Sequence, residues 1–272
     1  MLQRIVTGLV LAPLAVYTVL WAPKVAMLAV LVLAAPRCAV ELVRMFAPFR
    51  PGDRLVVAVL VAAIAGSPLL GWPIFALVLT LATVLWLAAC LVEPGDLPVA
   101  AQRAALGALA LVYVGALVAM LVACFAVQRQ AAGQPFFDTG RAGLLGILVT
   151  VFMGDTGAYF AGKAFGRNKL YPLISPKKTV EGGVGGLLAS IGGGLIFAVW
   201  LLPGTPLVQG AVLGAACGIF GQVGDFAESL FKRASGVKDS GALLPGHGGL
   251  LDRVDGVLFA APVMYAWLTF AG

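Results

Sequence analysis

The stretch "PIFALVLTLATVLWLAACLV", residues 73–92, decides the fold. It contains no charged residue and no glycine. A bilayer core offers no water to backbone N–H and C=O groups, so such a segment must be helical, and about 20 residues cross it. Comparable segments lie on both sides, at 5–21, 25–43, 55–72, 105–127, 143–162, 183–202, 207–223 and 250–270. The chain is 61% hydrophobic and only 11% charged, where a soluble domain carries about 25% charged residues. The expectation is an all-α polytopic integral membrane protein of about nine transmembrane helices. The first segment has a short basic start, yet its apolar core is as long as a span and no small-x-small cleavage site follows. It reads as a retained anchor. In the second, Arg37 and Glu41 are spaced i,i+4 and can pair on one helix face.

Charge orients the spans. When loops alternate between two sides, one side collects Arg4, Arg44, Arg50, Arg54, Arg103, Lys163, Arg167, Lys169, Lys177, Lys178, Lys232, Arg233 and Lys238. The other collects Lys24, Arg129 and Arg141. The positive-inside rule then puts the N-terminus and the basic loops in the cytoplasm. Without the second span the N-terminal side flips, but loops 93–104, 163–182 and 228–249 still share one face. Basic loops also attract anionic headgroups, so basicity speaks to orientation and not to function. Cys38, Cys90, Cys124 and Cys217 all fall inside apolar spans without C-x-x-C spacing and read as small core residues.

Polar chemistry is concentrated late in the chain. Residues 1–140 read as transmembrane scaffold. Residues 141–272 read as the catalytic region, with loops 163–182 and 224–249. Asp155 interrupts a span in "VFMGDTGAYFAG", and a carboxylate in hydrocarbon must face a cavity, a cation or a partner; a cap by the Thr156 hydroxyl is the bland reading. "GAYFAGKA", residues 157–164, approaches the phosphate-binding G-x-x-x-x-G-K-[ST] loop. It ends in Ala164 and follows an apolar helix, so that reading fails. "SPKKTVEGGVGG", residues 175–186, offers Lys177 and Lys178 to phosphate, Ser175 as a donor and Thr179 as a helix cap. Gly182 and Gly186, i,i+4, read first as close helix packing.

"GDFAESLFKR", residues 224–233, sets Asp225, Glu228 and Lys232 on one helical face. "HGGLLDRVDG", residues 247–256, repeats the i,i+3 spacing with Asp252 and Asp255. Carboxylates so placed repel unless a cation sits between them or water separates them. Hard oxygen donors suit Mg²⁺, and a single histidine excludes a histidine-based zinc site. Gly246, Gly248 and Gly249 around His247 let backbone approach a ligand. Acids for a divalent cation, bases for phosphate and glycines for backbone contact form a toolkit for phosphoryl or nucleotidyl transfer.

At this point the chain resembles the phosphatidate cytidylyltransferase (CDP-diacylglycerol synthase) family. "SLFKRASGVKDSGALLPGHGGLLDRVDG", residues 229–256, is similar to its long signature. "DTGAYFAGKAFGRNKLYPLISPKKTVEG", residues 155–182, is similar to a second region, and "RIVTGLVLAPL" near the start agrees. Between about 45 and 140 the likeness is only one of apolar helices, and "ELVRMF" lacks the aromatic residue expected after Glu41. The resemblance implies that CTP and phosphatidate give CDP-diacylglycerol and pyrophosphate with Mg²⁺ and a second cation such as K⁺. It implies a homodimer in the bacterial inner membrane, its active face cytoplasmic, with no nucleic-acid partner. Asp225, Asp252 and Asp255 are then the expected metal-site acids. Lys232, Arg233, Lys238 and Arg253 meet phosphates. Asp239 and His247 belong to the catalytic set. Asp155, Ser175, Lys177, Lys178, Thr179, Glu228, Gly248 and Gly249 line the substrate pocket.

Rivals are another CTP-dependent lipid-phosphate cytidylyltransferase, a polyprenol kinase, and an ion-coupled transporter using Asp155. A transporter predicts inverted repeats with matched broken helices, and the polar content is instead concentrated in the second half. The CDP-alcohol phosphotransferase pattern is absent: "VLFAAPVMYA" follows Gly256 without its arginine or later acids.

Overall fold

The computed structural model describes residues 13–14, 16–46, 49–128, 138–243 and 248–271. Its helices are α1 (Lys24–Arg44), α2 (Pro51–Gly66), α3 (Trp72–Val92), α4 (Leu97–Ala126), α5 (Thr139–Phe165), α6 (Val180–Ile196), α7 (Leu207–Ala234) and α8 (Leu251–Phe270). The chain is an all-α polytopic membrane protein. Among the described residues seven helices, α1 to α7, are long and apolar enough to cross a membrane, with α2 continuing to Leu70 and α6 to Leu201. Helix α8 is equally long but opens with Asp252, Arg253 and Asp255. The expected span at 5–21 falls mostly outside the described residues, with residues 16–21 helical.

Local chemistry sets the helix ends. Proline stands in the first turn of α2, α3 and α4, where its missing N–H costs nothing. Gly71, at φ 111°, makes the tight reversal from α2 to α3, a backbone shape that L side chains rarely adopt. Asp138 caps α5 by accepting from Arg141 N at 2.9 Å. Thr179 caps α6 by accepting from Gly182 N at 3.1 Å. Helix α7 runs well past the expected end at 223, because the charged residues beyond it remain helical and find partners.

Burial sorts the helices. Only 17% of the α3 span is buried against protein, so the stretch that decides the fold mostly faces lipid. For α4 the figure is 67%, which makes it the central post. Helix α4 carries a π-helical segment, Leu111–Ala116, and holds Tyr113 against Phe231 of α7 and Phe259 of α8.

Helices α5, α6 and α7 meet along glycine seams. A methyl group at Gly157 would overlap Ala189 Cβ, and one at Gly185 would overlap Ala161 Cβ. One at Gly194 would overlap the Gly210 carbonyl. Lipid tails are as apolar as leucine, so tight backbone approach of this kind is what holds membrane helices together. Gly182 and Gly186 serve the same seam, packing against Ala158 O and Gly154 O. Helix α8 packs on α7, α4 and α5 and reaches the end of α1. An antiparallel hairpin, β1 (Lys169–Tyr171) and β2 (Ser175–Thr179), lies between α5 and α6.

Candidate active site

The last turns of α7 and the first turn of α8 form a polar seam. Glu228 is fully buried on α7. Lys232, one turn on, donates from Nζ to Glu228 Oε2 at 2.5 Å and to Asp252 Oδ1 of α8 at 2.7 Å. One ammonium thus bridges two helices and two carboxylates. Without it the acids would repel across the seam. Asp252 Oδ2 accepts from Ser240 N at 2.9 Å, Ser240 Oγ at 2.8 Å and Gly249 N at 2.7 Å. Asp252 therefore ties the α7–α8 loop to the start of α8.

The loop glycines serve these carboxylates. Gly248, at φ 80°, lies so near Asp252 that a Cβ there would sit 2.6 Å from Oδ2. A Cβ at Gly249 would overlap Ser240 Oγ and Glu41 Oε2. The close backbone approach expected around residue 247 is thus an approach to the protein's own acids. His247 itself lies outside the described residues.

A cavity of about 410 Å³ adjoins the seam. Asp155, Ala158, Tyr159 and Lys163 line it from α5, Lys177 and Lys178 from β2, and Gln222 and Asp225 from α7. Lys178 Nζ pairs with Asp225 Oδ2 at 2.6 Å and stands 4.1 Å from the centre of the Phe226 ring. Thr156 donates to Phe152 O within its own helix, so it does not cap Asp155. Asp155 is exposed, with Asp225, Lys178 and Arg253 within electrostatic range.

The other expected residues fall around this centre. Asp255 accepts from Gly256 N at 2.7 Å and neighbours Glu228. Arg253 is exposed on the first turn of α8. Arg233 donates to Ile174 O at 3.3 Å and Val237 O at 3.2 Å, clamping the hairpin turn to the loop. Ser175 is half-buried where β2 begins; Lys238 and Asp239 are exposed in the α7–α8 loop, outside the cavity lining. Sequence reasoning passed over Gln222, Tyr159 and Ser240, which carry no charge. It paired Glu41 only with Arg37, a contact present at 3.0 Å.

The donor chemistry fits a divalent cation. Asp225, Glu228, Asp252 and Asp255 lie on facing turns of α7 and α8, and Glu228 Oε1 is buried without a hydrogen-bond partner. Among the described residues no group of three or more His, Cys, Asp or Glu side chains stands ready to hold a metal. Mg²⁺ needs no such cage, since it keeps waters and takes substrate phosphate oxygens beside one or two carboxylates.

Residues 2–271 match the family model described as the Cytidylyltransferase family. Over 140 residues the chain is 45% identical to "Phosphatidate cytidylyltransferase" of Staphylococcus aureus (strain COL), covering 47% of this chain and 51% of that protein. The protein of the same name from Staphylococcus epidermidis (strain ATCC 12228 / FDA PCI 1200) is 46% identical over 140 residues, with the same coverage. That of Staphylococcus saprophyticus is 45% identical over 131 residues, covering 47% and 50%. The chain spans about half the length of the curated relatives it matches.

Proposed function

Because the chain belongs to the cytidylyltransferase family, we propose that it transfers the cytidylyl group of CTP to phosphatidate, giving CDP-diacylglycerol and pyrophosphate. The observation that carries this reading is the cavity at the ends of membrane-crossing helices, with Lys177 and Lys178 on one wall and Asp155 and Asp225 on another. Basic side chains there suit phosphate, the acids suit the cation that accompanies a nucleotide, and the lipid-facing surround suits an acylated substrate.

The chemistry needs little covalent help. A phosphate oxygen of phosphatidate, ionised at neutral pH, forms a bond to the α-phosphorus of CTP. The bond from that phosphorus to the oxygen bridging to the β-phosphorus breaks, and pyrophosphate leaves with the electron pair. No strong general base is required. The barrier is repulsion between an anionic nucleophile and an anionic electrophile. Lys177 and Lys178, which line the cavity, and Arg253, on the first turn of α8, reduce it by holding phosphate oxygens. Asp225, Asp252 and Asp255 would hold Mg²⁺, which when bound neutralises phosphate charge. Lys232 keeps Asp252 and Glu228 together without repulsion.

The enzyme acts as a homodimer in the bacterial inner membrane, with the seam and hairpin facing the cytoplasm. Purified protein in phosphatidate-containing micelles with CTP and Mg²⁺ is expected to release pyrophosphate and form a CDP-lipid in equal amounts. Absence of both products, or equal pyrophosphate release without phosphatidate, removes the assignment.

A further inference from the structure

Glu41, near the end of α1, lies 199 residues from Ser240 and 210 from Leu251 in sequence. It is 1% exposed. Its Oε2 accepts from Leu251 N at 2.9 Å, the first residue of α8, and lies 3.4 Å from Ser240 Oγ. Its Oε1 accepts from Arg37 Nε at 3.0 Å. Ser240 in turn gives both its N–H and its hydroxyl to Asp252 Oδ2. A buried carboxylate is retained only where its charge is met, and here a guanidinium, a backbone N–H and the positive end of α8 meet it. The loop is shaped around it: a Cβ at Gly241 would come within 3.0 Å of Oε1, and one at Gly249 would overlap Oε2.

We propose that Glu41 is a positioning residue for the transfer reaction, fixing the first turn of α8 and Ser240 so that Asp252 meets the seam in one orientation. It touches no substrate and acts through Ser240 and Leu251. The consequence for turnover rests on the cytidylyl-transfer reading; the consequence for the loop does not.

Two readouts on the 272-residue chain in micelles test it. Hydrogen exchange without substrate reads the backbone at 240, 249 and 251. Glu41→Ala is expected to speed exchange there about tenfold or more, because the Leu251 amide loses its acceptor and Asp252, the acceptor of the amides at 240 and 249, is no longer held by a fixed first turn of α8. Steady-state kinetics should show kcat lower by about thirtyfold at nearly unchanged KM for CTP, as a misplaced acid harms the reacting geometry more than binding. Glu41→Gln keeps the length and one acceptor, so it should recover most of the loss and remain about threefold below wild type. Wild-type exchange in Glu41→Ala overturns the proposal, as does a kcat within threefold of wild type. If Glu41→Ala does not fold, Glu41→Gln decides: faster exchange with lower kcat at constant KM supports it, and wild-type values of either overturn it. If the wild-type protein shows no cytidylyl transfer, the functional reading falls and exchange alone decides the positioning role.

Discussion

At Lys232 Nζ two carboxylates share one ammonium, at 2.5 Å to Glu228 and 2.7 Å to Asp252. Removing the ammonium leaves Glu228, which is fully buried, beside Asp252 with no counter-charge. Lys232→Met is therefore expected to cost about 3–5 kcal/mol, the range for breaking one side of a buried pair. The exposed pair Arg50–Glu93, with side chains 45% and 81% exposed, is the contrast. Its ion pair is worth at most about 1 kcal/mol, so Glu93→Gln should stay within that limit. Chemical unfolding in micelles compares the two variants; equal losses would remove Lys232 as the seam's organiser. Asp252→Asn keeps an oxygen for the donors at Oδ2 but replaces the oxygen that faces Lys232 with an NH₂ group. Turnover should fall by at least about a hundredfold with the protein still folded. Full activity would remove Asp252 from the site.

The helices α5, α6 and α7 rest on glycine, so their weakness is steric. Gly157→Val pushes a branched side chain into Ala189, and Gly214→Val into the Ser190 carbonyl. Each should lower stability by about 1–3 kcal/mol or prevent assembly, because packed helices have no room to part. Gly52, in the first turn of α2, would meet nothing within 4 Å of an added methyl group, and Gly52→Ala should be neutral or slightly stabilising. Thermal midpoints and monodispersity in detergent check the set; a tolerated Gly157→Val would show that the seam is not close-packed. These elements were readable to different degrees. Span positions follow from runs of apolar residues, because hydrocarbon imposes both length and helicity. Asp225, Glu228 and Lys232 were readable as one face, since helical spacing is local. The hairpin at 169–179 carried no apolar alternation, and five of its eight strand residues are exposed. The Glu41 contact depends on residues about two hundred positions apart, which no local pattern encodes.

Across the whole molecule, charge and burial predict an orientation. Lys169, Lys177 and Lys238 are all exposed, and the positive-inside rule assigns their face to the cytoplasm. Cys38, Cys90, Cys124 and Cys217 are buried and free, so background thiol labelling should be low. A cysteine placed at Lys238 should react with an impermeant maleimide in inverted membrane vesicles and remain unlabelled in intact spheroplasts. The opposite pattern would turn the site outward, away from cytoplasmic CTP. The central claim concerns which phosphorus is transferred. Purified protein should be given phosphatidate, Mg²⁺ and CTP carrying label at either the α- or the γ-phosphate. Label from the α-position is expected in the lipid product, and label from the γ-position in pyrophosphate. Label from the γ-position in lipid would mean a kinase, and no labelled lipid from either nucleotide would contradict cytidylyl transfer.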